Sequence, residues 1–298
     1  MKTGFYRLER RNFWLFVLPA LIIYVMFWIV PMLVTLPFSF IQWNGVGDWS
    51  RIKWVGLKNY VNLFSDKVVG IALKNNMIYM LTTVLCMPVI AFFLALFIEK
   101  FTVHKGFFRT AVFTPIVLPL MLVALLFTYI YNLDFGIING LLRSMGLDNL
   151  VHDWLGEKST AFAAVMAIPI WKSTPFTMTI ILAGMQNVSR ELEEAAMIDG
   201  CTFWKTVRYV TLPQIKSVLT VAVGLVVIDA FRVFDLVYMT TNGGPGYYTT
   251  EVMGTYIYKS GFADMRMGYA AALSVLNIAV VMLITGIYMR VNRKIGEN

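Results

Sequence analysis

The 298 residues are 58% hydrophobic and only 14% charged, with a mean hydropathy of +0.69. Soluble domains run at about 45–50% apolar and about 25% charged, so no water-soluble core of this length could cover so much apolar surface. The composition excludes a soluble protein and specifies an all-α integral membrane chain. The net charge of +8 does not point to nucleic acid, because the basic residues sit in short segments between apolar runs. Cys86 and Cys201 are too few for a disulfide framework or a C-x-x-C metal site. His104 and His152 stand far apart, so no paired metal ligands and no catalytic constellation are expected, and no G-x-x-x-x-G-K-[ST] offers an ATP site.

Crossing a hydrocarbon core of about 30 Å takes about 20 apolar residues of helix. In chain order, 1–12 is a charged N-terminus and 13–40 the first predicted span. Residues 41–73 follow as an extracytoplasmic segment, and 74–290 form the core transmembrane domain. Its spans are predicted at about 75–98, 110–133, 160–183, 216–238 and 267–289, making six helices in all, with 291–298 as a tail. Two spans carry charge: Lys172 between Pro169 and Pro175 in the fourth, and Asp229, Arg232 and Asp235 in the fifth. Such groups must face protein or water rather than lipid. With the N-terminus inside, 14 Lys and Arg fall on the cytoplasmic side and 9 on the other. A multi-pass chain with both termini in the cytoplasm is therefore expected. The first span is too long for a signal-peptide core and lacks a small-x-small cleavage site, so it is retained. The Asn187-Val188-Ser189 sequon falls inside.

The loop 184–214 between the fourth and fifth spans differs from the rest. Ser189 precedes Arg190-Glu191-Leu192-Glu193-Glu194-Ala195-Ala196, a capping residue with acids in the first turn. Asp199-Gly200 is a breaker, Thr202 to Tyr209 suits a second short helix, and Leu212-Pro213 either stops it or begins the next span. By itself this reads as a helix–turn–helix on the cytoplasmic face, which an amphipathic connector would also satisfy.

The particular residues say more. Glu194-Ala195-Ala196, Gly200 and Val210-Thr211-Leu212-Pro213 resemble the EAA loop of ABC importer permeases, E-A-A-x3-G-x9-I-x-L-P, departing only at Val210. The resemblance covers roughly 70–290. Thr241-Asn242-Gly243-Gly244-Pro245-Gly246, Thr255-Tyr256-Ile257-Tyr258 and Met267-Gly268-Tyr269-Ala270-Ala271 look like the binding-protein-dependent carbohydrate permeases of that family, and Trp171 with Pro175-Phe176 shares that look. More narrowly, the chain is similar to the first permease of a pair importing oligosaccharides or glycerol phosphate. The resemblance implies the type I importer permease fold in a bacterial-type plasma membrane. It also implies coupling to a separate ATPase through 189–213, with Glu194, Ala195, Ala196, Asp199, Gly200, Leu212 and Pro213 in the coupling role. The partners it implies are a second homologous permease in a heterodimer, two copies of an ATP-binding subunit carrying ATP-Mg, and an extracytoplasmic solute-binding protein. No cofactor is expected on this chain.

Asp229, Arg232 and Asp235 are spaced three apart and would share a sector of one helix. An internal ion pair, a substrate contact and an intersubunit pair all remain open. Lys172 offers a partner for the carboxylate left over, which would bring the fourth and fifth spans together. Trp171, Lys172, Asp229, Arg232, Asp235, Tyr238 and Asn242 are the candidates for the substrate path, with Asn187 a further one. A self-sufficient secondary transporter is the rival reading, although no pair of interrupted repeats is visible.

Overall fold

The computed structural model describes residues 2–48, 50 and 52–296, with backbone alone for 2–12 and 293–296. Parts of the expected terminal segments 1–12 and 291–298 thus lie outside the described residues. The chain divides into two units, one of Met1–Asp66 with Ile257–Ile278 and one of Lys67–Tyr256 with Ala279–Asn298.

In the first unit, α1 (Lys2–Tyr24) and α2 (Val30–Phe38) are joined by a π turn at Val25–Ile29. Pro31 has no N–H for the helical bond to Phe27, and the turn widens just before it, with the Val30 amide bonded to the Val25 carbonyl. None of residues 13–38 is buried, as suits a helix apolar on every side whose surroundings are lipid. A two-residue hairpin follows, β1 (Ile41–Gln42) antiparallel to β2 (Lys53–Trp54), with Ile41 opposite Trp54. Beside it lies α3 (Lys58–Ser65). The buried Asn59 amide donates to the carbonyls of Ser39 (2.9 Å) and Ile41 (2.8 Å), satisfying backbone groups where the first span ends. The unit is completed by a π turn at Lys259–Ala263 and the start of α15 (Met267–Gly296), as far as Ile278. Gly268 lies against the Ile41 carbonyl, where any Cβ would collide.

The second unit is built on α4 (Lys67–Phe101) packed along α8 (Ala161–Gln186). Ala91 and Ala95 on one and Ala161 and Ala164 on the other are buried, and small side chains let membrane helices approach closely. Between them come α5 (Lys105–Val117), α6 (Leu120–Ile130) and α7 (Ile137–Ser144). The third expected span, 110–133, is split: α5 and α6 meet at 92°. Pro119 lacks an amide and forces Leu118 into extended backbone (ψ 134°). By contrast, α8 runs unbroken through Pro169 and Pro175.

After α8 come α9 (Arg190–Ile198), α10 (Phe203–Thr206), a further π turn (Val207–Thr211) and α11 (Leu212–Gln214). The second short helix thus continues past its expected end at Tyr209, and Leu212-Pro213 lies inside it. A bend of 71° at Ile215 leads into α12 (Lys216–Ala230). The fifth expected span, 216–238, is also interrupted, for α12 stops at Ala230 and α13 (Asp235–Thr240) starts after four intervening residues. The unit's first stretch ends at Tyr256, within α14 (Met253–Tyr258), and the rest of α15 belongs to it from Ala279. Among the described residues four helices are long and apolar enough to cross a membrane, or up to six spans if each bent pair counts as one.

Candidate translocation cavity and coupling loop

A cavity of about 400 Å³ opens between α4, α8 and α12. Tyr79, Thr83 and Met87 face it from α4 at a helical spacing, Lys172, Phe176 and Thr177 from α8, and Asp229 and Arg232 from the end of α12 and just beyond it. Lys172 is buried, and its ammonium donates to the Ile116 carbonyl at 3.4 Å. That carbonyl lies beside the α5–α6 break, where helical backbone runs out of internal partners. Asp229 lines the same cavity and acts electrostatically on Lys172, but among the described residues the two form no ion pair of 4 Å or less; α8 and α12 do pack against each other. Both Asp229 and Arg232 are exposed in the chain taken by itself.

Other expectations for this region are corrected. Asp229, Arg232 and Asp235 do not share one helix, because the backbone leaves the α conformation between Ala230 and Asp235. Among the described residues, none forms an ion pair of 4 Å or less between Arg232 and either aspartate. Of the expected path residues, the structure gathers Lys172, Asp229 and Arg232 at the cavity. Asp235 lies past the break, and Tyr238 stacks on Phe234 at 5.2 Å. Trp171 stands on the outer side of α8 against Phe127 at 5.6 Å. Asn242 is exposed in the loop after α13 with φ +47°, and Asn187 returns its amide to the Ala183 carbonyl at the end of α8.

The break at 231–234 is held by a residue that sequence reasoning missed. Asn76 of α4 donates to the Ala230 carbonyl at 3.3 Å, while its oxygen accepts the Met253 amide at 2.8 Å. Its neighbour Asn75 donates to the Glu251 carbonyl at 2.8 Å. Within a membrane, broken helices persist only where such groups take over the freed backbone. The loop from Thr241 to Thr250 is closed in the same way, with the Thr250 hydroxyl on the Gly244 carbonyl and the Thr249 hydroxyl on the Pro245 carbonyl, each at 2.6 Å. Two adjacent asparagines in an otherwise apolar span were the available signal.

In the loop 184–214, α9 ends as its sequence predicts. Asp199 is the last cap and Gly200 takes φ +81°. The Cys201 amide reaches the Ala196 carbonyl at 2.9 Å and the Gly200 amide that of Met197 at 3.1 Å, which is a Schellman termination. At the other end Ser189 occupies the cap position, but its hydroxyl makes no capping bond. The first turn is held differently. Glu193 is buried, paired with Lys100 at the end of α4, and accepts the Thr211 hydroxyl at 3.1 Å. Glu99 and Lys105 form a second pair alongside at 2.7 Å. Leu212 is half-buried against the neighbouring core, which includes Leu182, Val207 and Ile215. Glu194, Ala195, Asp199, Gly200 and Pro213 are exposed, and Ala196 is half-buried. Met197 and Ile198 at the tip are 58% and 86% exposed.

A mostly apolar cavity that carries Lys172, Asp229 and Arg232 among apolar helices, and a loop pinned to one of those helices, suit the membrane subunit of a transporter. The chain belongs to the family of binding-protein-dependent transport system inner membrane components, whose profile matches residues 87–297. It is 36% identical over 279 residues to the probable ABC transporter permease protein YurN of Bacillus subtilis, covering 93% of this chain and 94% of that one. Identity to the trehalose/maltose transport system permease protein MalF of Thermococcus litoralis is 31% over 285 residues, covering 96% and 95%. It also superposes on a crystal structure of a bacterial ABC transporter involved in the import of the acidic polysaccharide alginate. The TM-score is 0.84 with 25% identity, covering 98% of this chain and 99% of that chain. This is a multi-pass permease component of an ABC importer, and the ATPase of such a system is a separate subunit.

Proposed function

We propose that this chain forms half of the pathway by which an oligosaccharide is imported, the other half being a second, homologous permease. Three things support a sugar as cargo: the names of the relatives, the hydroxyl groups and aromatic faces of Tyr79, Thr83, Phe176 and Thr177 in the cavity, and the charged trio Lys172, Asp229 and Arg232 beside them. The second permease would cover the side of the cavity on which Asp229 and Arg232 stand exposed. An extracytoplasmic solute-binding protein delivers the sugar, and both termini lie in the cytoplasm.

Energy enters through 189–213. Two copies of an ATP-binding subunit hold ATP-Mg, and each takes one coupling loop. Glu194 and Asp199 offer charge-assisted hydrogen bonds to the subunit, and Ala195, Ala196 and Gly200 let its surface come close. The observation that carries this assignment is the exposed tip of α9, where two large apolar side chains project beside a left-handed glycine. Closure of the ATPases moves the loops and shifts the helices between two packings, and transport requires that the loaded binding protein favour the outward one.

The test is purification of the tagged chain in mild detergent, followed by reconstitution. Recovery of an ATPase and a second permease is expected, with sugar uptake only when ATP and the binding protein are both supplied. A chain that arrives alone and moves solute without ATP would overturn the proposal in favour of a secondary transporter.

A further inference from the structure

We propose that α3, with the hairpin strand before it, is an interfacial anchor seated at the headgroup–acyl boundary of the extracytoplasmic leaflet. Leu57 at the cap of α3 and Val61 and Phe64 on the helix itself recur at i, i+4 and i+7, so they continue one stripe along it. They are 65%, 65% and 87% exposed. The opposite side, Asn59 and Leu63, is the one buried in the first unit. The helix therefore presents an apolar stripe away from its own core. Lys58 borders that stripe, where its stem can lie along apolar surface while the ammonium reaches headgroup phosphates. Trp54, exposed and stacked on Phe40 at 5.7 Å, adds an aromatic ring of the kind found at membrane interfaces.

The level of α3 follows from what holds it. Near its start, Asn59 bonds the carbonyls of Ser39 and Ile41, and the Tyr60 hydroxyl meets that of Ser39 at 2.6 Å. Ser39 is the first residue past the span Phe13–Phe38. Just past its end, the Asp66 carboxylate accepts the Tyr269 hydroxyl at 2.6 Å, and Tyr269 is the third residue of the span Met267–Asn292. The helix is thus tied to the ends of two candidate spans. An amphipathic helix held at that level with its apolar stripe outward is stable when the stripe enters the acyl boundary.

The anchor is tested with nitroxides placed singly through Val61→Cys, Asn62→Cys and Phe64→Cys in a Cys86→Ser, Cys201→Ser background, using the complex as purified in lipid nanodiscs. Collision with molecular oxygen should dominate at 61 and 64, and collision with a water-soluble nickel chelate at 62. Nickel access at 61 and 64 would put the stripe in water and overturn the proposal. Exclusion of both reagents there would also overturn it, because a protein such as the second permease or the binding protein would then cover the stripe. Phe64→Trp gives a second reading that needs no label: the emission it adds should be quenched by lipids brominated high on their acyl chains. An unquenched signal would count against the anchor.

Discussion

Glu193 is the residue whose removal the structure makes most consequential for the loop. Its carboxylate is shared between the Lys100 ammonium and the Thr211 hydroxyl, so one side chain ties α9 to the end of α4 and to the π turn before α11. Breaking a buried pair from one side costs about 3–5 kcal/mol. Lys100 keeps 28% of its side chain exposed, so it regains water when its partner is lost, and glutamine can still accept from Thr211. With those two discounts, Glu193→Gln should weaken the attachment of α9 by about 2 kcal/mol. That corresponds to an opening equilibrium about thirtyfold larger, at 1.36 kcal/mol per factor of ten. Hydrogen exchange read by mass spectrometry reports it directly. Amides of 190–198 should exchange about thirtyfold faster, while those around Ile181 and Leu182 in α8 keep their protection. The exchanged pair, Glu193→Lys with Lys100→Glu, should recover most of the loss. No acceleration at α9 would refute this account of Glu193.

Other substitutions have equally definite outcomes. A Cβ at Gly200 would meet no atom within 4 Å, so the main cost of Gly200→Val is conformational, about 1–2 kcal/mol for a side chain at φ +81°. It should abolish recovery of the ATPase with the purified chain while the span topology stays intact, and normal recovery with normal uptake would count heavily against the coupling role. Asn76→Ala strips the Ala230 carbonyl and the Met253 amide of their partner, a loss of about 1–3 kcal/mol for each buried group. A lowered unfolding temperature in detergent is expected, and an unchanged one would mean that the break at 231–234 holds itself. Gly268→Ala drives a methyl into the Ile41 carbonyl and should destabilise by about 1–3 kcal/mol. Gly286→Ala on the same helix, with nothing within 4 Å, should not destabilise; equal thermal stability of the two variants would contradict the close approach at Gly268.

Hydropathy alone located the apolar segments, because the lipid requirement acts locally on about 20 consecutive residues. The Asp199-Gly200 termination was legible for the same reason: a left-handed C-cap is decided within five residues. The split at Leu118–Pro119 was also written locally, in a proline whose effect a charge-free run of 24 residues obscured. The break after Ala230 was not legible, since it depends on Asn76 from a helix 154 positions earlier. Glu193 was overlooked in favour of Glu194, the motif residue beside it. What separates them is Lys100, 93 positions away, and no local pattern announces that partner. The cavity was half legible: intramembrane charge singled out Lys172, Asp229 and Arg232, but Tyr79, Thr83 and Phe176 resemble ordinary span residues until the helices are brought together.

The two π turns ahead of Pro31 and Pro213 bear on how this chain tolerates changes in length. A π turn holds one residue more than the α-helix requires, so each is a place where the helix carries a spare position. Deleting one residue within 207–211 lets the turn relax to α geometry while the segments on either side keep their facing. The same deletion in the middle of α8 would swing every later side chain by about 100° around the axis, turning Lys172 or the alanine face toward lipid. The stretch between α9 and α12 is therefore the part of the loop 184–214 best able to absorb an inserted or lost residue without disturbing either end.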